Sequence, residues 1–146
     1  MDSVQDSAMV ALLPKDGTWS LVDPPHTTIV YLGKIQELDP IVREELIKIV
    51  SSLSILTSQF KVKVLKQDVF GEEEKVEVFR LSLTSELSSL RTILDSWDDS
   101  EFPVFRPHAT IGPEGTLVKN PPLFLLFDRL LLSWGEERLI FQLRSF

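Results

Sequence analysis

The chain has 146 residues, 43% of them hydrophobic and 25% charged, with a net charge of −7 and a sequence pI near 4.8. It has no cysteine and only two histidines, His26 and His108, which excludes disulfides, thiolate nucleophiles, cysteine-ligated zinc, iron–sulfur clusters and three-histidine metal sites. The acidic balance argues against a surface built to hold long nucleic acid, which needs many cationic phosphate contacts, although it is compatible with a local basic pocket. No apolar run reaches the ~18 residues of a membrane span, and the opening MDSVQDSAMV lacks the basic and apolar segments of a secretory leader. These features lead to the expectation of one cytoplasmic domain over residues 1–146, built of two lobes sharing a core. Nothing reads as a dimer seam, so a monomer is expected.

In chain order, Ala8 to Leu13 is a short apolar run ended by Pro14 and reads as a buried strand. Lys15-Asp16-Gly17 is turn chemistry, and Trp19 to Val22 is a short strand or an ordered loop. His26 to Leu32, rich in β-branched and aromatic residues and ended by Gly33, is a strand. Asp39-Pro40 opens a helix over 40–54, with Asp39 as cap and Pro40 at the first helical position. Phe60 to Val69 alternates as a strand, Gly71 to Glu74 is a charged hairpin turn, and Lys75 to Leu83 is the return strand. Thr84 or Ser85 caps a second helix whose apolar face is Leu87, Leu90, Ile93, Leu94 and Trp97. Asp98 to Glu101 reads as a solvated acidic loop. His108 to Ile111, Leu123 to Ser133 and Arg138 to Leu143 are the last three strands, the final pair joined at Gly135-Glu136-Glu137. Hairpins alternating with two helices predict an α+β fold.

The chain carries one internal echo. Pro25-His26-Thr27-Thr28-Ile29 returns as Pro107-His108-Ala109-Thr110-Ile111. Residues i and i+2 of a strand share a face, so each copy presents an imidazole beside a hydroxyl. If the halves face each other, two such pairs line one cleft. That constellation suits in-line transfer at a phosphodiester. A neutral histidine takes the proton of the attacking hydroxyl or water, and a charged one protonates the leaving oxygen. Thr28 and Thr110 would hold the non-bridging oxygens. No metal or cofactor is needed. Two histidines would both have a hydroxyl at +2 by chance only about 2–3% of the time, and the shared proline and isoleucine lower that further.

The paired motifs, PHTTIV and PHATIG, with the AMVALLP opening, the YLG ending of the first motif strand and the closing hairpin, resemble the 2H phosphoesterase superfamily in its compact bacterial or phage form. That superfamily includes 2′–5′ RNA ligase-like proteins and cyclic phosphodiesterases. The resemblance implies a bilobal, pseudo-twofold (LigT-like) α+β fold, with antiparallel sheets lining a central cleft and helices on the outer faces. It implies His26 and His108 as the catalytic pair and Thr28 and Thr110 as phosphate binders. The expected activity is a metal-independent phosphodiesterase acting on a small nucleotide: a 2′,3′-cyclic phosphate, a 2′–5′ linkage or a cyclic oligonucleotide signal. The alternatives are an RNA end-processing, ligase-like protein, which the acidic balance disfavours, and a module that sequesters a nucleotide without cleaving it.

Four further residues are candidates for substrate binding, each with a plainer reading as packing or surface charge. Arg80 lies on the strand face opposite Phe79 and Leu81. Arg106 stands two residues before His108. Phe105 and Trp19 precede the motifs, where an aromatic ring can stack a base. Strict alternation puts Tyr31 on the face opposite His26, in the core.

Overall fold

Strands and helices follow one another as the hydrophobic periodicity requires: β1 (Ser7–Pro14), β2 (Thr27–Lys34), α1 (Pro40–Leu56), β3 (Phe60–Phe70), β4 (Val76–Leu81), α2 (Ser85–Leu94), β5 (His108–Pro113), β6 (Phe124–Trp134) and β7 (Glu137–Gln142). The structure is a computed structural model, and it describes residues 6–99 and 104–145. Glu101 of the expected acidic loop lies outside the described residues. Residues 18–26 form a loop rather than a strand. No helix among the described residues is long and apolar enough to cross a membrane.

The caps anticipated from sequence are present. The Asp39 carboxylate accepts from the Ile41 N–H at 3.0 Å, with Pro40 opening α1. The Thr84 hydroxyl accepts from the Leu87 N–H at 3.2 Å. Each cap satisfies a donor that the first helical turn leaves without a partner.

All strand pairs are antiparallel, in the order β2-β1-β6-β3-β4-β5. β7 pairs with the Arg129–Trp134 stretch of β6, while β3 pairs with Phe124–Phe127. One face of the sheet packs against both helices. Leu46, Val50 and Leu53 of α1 and Leu87, Leu90 and Leu94 of α2 share one core with Val10, Leu12, Ile29, Phe79, Ile111 and Leu130. Burial of such side chains supplies most of the driving force, about 25 cal/mol per Å² of apolar surface. Among the described residues, the opposite face holds a small cluster, Ala11, Leu13 and Leu131 with Met9 against it. β2 and β5, the ends of the strand path, approach each other. The sheet therefore curls, and its helix-free face becomes the inside of a cleft.

β2 does not alternate regularly. Its pairing with β1 shifts twice, so Met9 faces Tyr31 and Ala11 faces Thr28. Each bulge skips one residue and resets which side chains point where. Thr28, Tyr31 and Lys34 are the half-buried positions of the strand, a spacing of three rather than two. The expectation that Tyr31 lies in the core is therefore corrected: the bulge at Ile29 turns it to the same face as Thr28.

Candidate active site

The two motifs begin the two strands that meet across the cleft. His26 lies directly before β2, and His108 is the first residue of β5. Each ring is fixed in the same way. His26 Nδ1 is 2.7 Å from the Pro24 carbonyl, and His108 Nδ1 is 2.7 Å from the Arg106 carbonyl. A carbonyl only accepts, so Nδ1 carries the proton in both rings, and Nε2 is the atom left to exchange one.

Burial pushes both imidazoles below the ordinary value of 6.5, and the two carbonyl contacts oppose that shift. His26 is lowered further by the charges of His108 and Arg138.

The threonines stand as the i, i+2 rule requires. Thr28 is half-buried on β2, its hydroxyl 3.5 Å from the Met9 sulfur. Thr110 is half-buried on β5, and its carbonyl accepts from the Ser20 hydroxyl at 2.8 Å. The residue between each histidine and threonine points the other way. Ala109 is buried in the core, and so is Thr27, whose hydroxyl has no hydrogen-bond partner.

The four further candidates divide. Arg80 on β4 is directly opposite His108 on β5, with Lys66 of β3 opposite Arg80 in turn. Residues directly opposite in an antiparallel pair share a face, so this row of cationic side chains is on the cleft side. Arg80 is 40% exposed and only 3.7 Å from the Asp68 carboxylate, a loose pairing that leaves its guanidinium available. Arg106 has an exposed side chain, and its contact with the site is the carbonyl that holds His108. Trp19 is engaged elsewhere: its indole N–H donates to the Asp16 carbonyl at 2.9 Å and its ring packs on the buried Phe79 at 5.2 Å. Phe105 packs against the core with the Arg91 guanidinium 5.2 Å above its ring. Both aromatics have the packing contacts of the plainer reading.

Three side chains near the histidines escaped the sequence reading. Phe70, at the end of β3, meets His108 nearly edge-on, with ring centroids 4.8 Å apart and planes at 60°. Its only sequence signal is its place before the Gly71 turn. Arg138 on β7 donates to the Asp23 carbonyl at 2.9 Å, beside His26. Tyr31 joins them through the bulge. His26, Tyr31, Met9, Ser133, Glu136 and Arg138 lie on the wall of one pocket of about 590 Å³.

No family model matches the sequence, and no curated protein does. Solved structures do match. TT0787 of Thermus thermophilus superposes with a TM-score of 0.71 at 14% identity, over 95% of this chain and 98% of that one. E. coli LigT in apo form gives 0.59 at 15% identity, over 95% and 98%. LigT complexed with 3′-AMP gives 0.53 at 16% identity, over 95% of each chain. The chain therefore has the fold of LigT and TT0787, an α+β arrangement of antiparallel strands and two helices.

Proposed function

We propose that this chain is a phosphodiesterase for small nucleotides, in which His26 and His108 are the catalytic pair and Thr28 and Thr110 bind the phosphate. The reading rests above all on one observation. Two imidazoles at the starts of strands that meet across one cleft are each held at Nδ1 by the carbonyl two residues earlier. That leaves two Nε2 atoms as the exchangeable positions of an acid–base pair.

Charge supports a division of labour. Arg138 adds its charge at His26, so we assign His26 as the neutral base and His108 as the charged acid. His26 Nε2 then takes the proton of the attacking hydroxyl as its oxygen forms a bond to phosphorus. The opposite P–O bond breaks, and its oxygen receives the proton from His108 Nε2. The transferred protons balance, and the site ends with the charge on His26. The reverse addition of water runs the roles backwards. Thr28 and Thr110 donate to the non-bridging oxygens, and Arg80, in register with His108, offsets the charge that builds there.

LigT has been seen with 3′-AMP, ATP and NADP+, which supports a nucleotide of similar size as the class of ligand here. The net charge of −7 favours a small substrate held locally over a long strand held by charge. The chain is proposed to act as one two-lobed unit, a cytoplasmic monomer, without metal or other cofactor. The test is a screen of nucleoside 2′,3′-cyclic phosphates, 2′–5′ oligonucleotides and cyclic di- and trinucleotides, with and without EDTA. Turnover that survives EDTA and disappears in the His26→Ala/His108→Ala double variant is expected. Turnover retained by the double variant would overturn the proposal. RNA affinity that falls steeply with salt would instead favour the ligase-like alternative.

A further inference from the structure

The cleft face around His108 mixes cations with a carboxylate. Lys66, Arg80 and His108 form one row across β3, β4 and β5, and Asp68, Val78 and Thr110 form the next. Residues directly opposite in an antiparallel pair share a face, and so do residues two apart on a strand. Asp68 therefore stands on the cleft side, in the row of Thr110 and two strand spacings from it, about 10 Å between backbones. The residue between them, Val78, is apolar and fully buried, and supplies no charge to shield one from the other. The Asp68 carboxylate is held in place. Its Oδ1 accepts from the Val69 N–H at 2.8 Å, and its Oδ2 lies 3.7 Å from Arg80 and 4.0 Å from Lys66. Those separations are beyond hydrogen bonding, so the two cations stay turned to the cleft while the carboxylate cancels part of their charge. A fixed negative charge beside an anion site opposes a doubly charged ligand twice as strongly as a singly charged one.

We propose that Asp68 is a specificity residue, which makes the phosphate site prefer a singly charged phosphoryl group to a doubly charged one. The proposal rests on the phosphodiesterase reading and supplies it with a means of product release. A phosphodiester carries one negative charge. In hydrolysis the water oxygen bonds to phosphorus, the opposite P–O bond breaks and the leaving oxygen takes a proton. The monoester left behind then loses a second proton, with a pKa of about 6, and becomes a dianion at neutral pH. Arg80, Lys66 and the two threonines on their own would hold that dianion more tightly than the substrate it came from. The charge of Asp68 offsets this, and the product leaves a site whose own cations would otherwise retain it.

The test compares two ligands of similar shape and different charge, phenyl phosphate and phenyl sulfate, at about pH 8. There the first is a dianion and the second a monoanion, and both imidazoles, held below 6.5, are neutral. Affinities are measured by protein-observed NMR titration at low salt, where the charge effect is least screened. The parent is compared with Asp68→Asn, which keeps the shape of the side chain and removes its charge. A unit charge about 8–10 Å away in a partly solvated cleft changes affinity by about three- to tenfold. Asp68→Asn is expected to bind phenyl sulfate more tightly by that factor and phenyl phosphate by its square, because the dianion feels the lost charge twice. Asp68→Ala is expected to show the same relation, which does not depend on the replacing side chain. Equal gains for the two ligands, or no gain, would overturn the proposal. Weaker binding of both would overturn it as well, and would make Asp68 a support that orients Arg80. Failure of parent and variants to bind either ligand would overturn the anion site together with its selectivity. None of these measurements involves turnover, so loss of the catalytic reading, seen as turnover retained without the histidines, is a separate result.

Discussion

The two Pro-His-x-Thr-Ile segments agree in backbone chemistry and differ in almost everything around it. In both, the imidazole Nδ1 stands 2.7 Å from the carbonyl two residues before it. Around the first, a bulged strand opens a pocket and Arg138 adds positive charge. Around the second, Phe70 closes against the ring and Arg80 faces it across the ladder. Even the intervening residue differs: Thr27 buries a hydroxyl with no partner where Ala109 buries a methyl. What the repeat preserves is ring orientation, which an acid–base pair requires at both ends. What it varies is charge and space, which can tell the two ends of a substrate apart.

The largest expected effect tests the agreement. His26→Ala and His108→Ala should each lower kcat by about 10²–10⁴. The double variant should be little worse than either single one, because the pair acts as a unit. Single-turnover kinetics on a cleavable nucleotide checks this, and a variant with full activity would break the equivalence. Thr28→Val and Thr110→Val should follow, each costing about 10² in kcat through one lost donor to the phosphate.

The next prediction concerns pH. Both imidazoles are held below 6.5 in the folded chain, so the unfolded chain binds protons first as pH falls. The sign is therefore fixed: stability is unaffected by these groups above pH 6.5 and is lost as pH falls from 6.5 toward the lowered folded values. The urea midpoint should drop less between about pH 8 and pH 5 in His26→Gln/His108→Gln than in the parent. The kcat/KM profile should be a bell with its centre on the acid side of 6.5. A centre well above about 7 would contradict the burial of the pair. The smallest effects separate the intervening residues. Thr27→Val should be neutral or stabilising by about 1 kcal/mol, since it removes a buried hydroxyl without a partner. Ala109→Thr should cost about 1–3 kcal/mol by creating one. Chemical denaturation reads both.

Much of this was legible because it is local. The order of strands and helices follows from periodicity, and the Asp39 and Thr84 caps follow from their side chains. The motif residues showed themselves by repetition. Tyr31 did not, because bulges depend on pairing with β1 and a period of two hides them. Phe70 reaches His108 through the curl of the sheet, which no window of sequence contains. Asp98, expected to be solvated, instead accepts from Arg91 at 3.0 Å and from the Tyr31 N–H at 3.1 Å. Its acidity is visible in sequence, but its partners are 7 and 67 residues away. Arg80 was assigned to the right strand face, yet its place opposite His108 is a matter of register, which comes only with the ladder.

The outer margins of β2 and β5 carry a last consequence. Ile29 gives its carbonyl to Arg91, and the Tyr31 carbonyl accepts from the Asp99 N–H. On the other side, the Ile111 carbonyl accepts from the Leu21 N–H and the Thr110 carbonyl from Ser20. Strand ends with bare backbone recruit neighbouring chains and seed aggregates. Here loops and an arginine occupy those positions, so β2 and β5 can open onto solvent at the cleft without offering a foreign strand a template to extend.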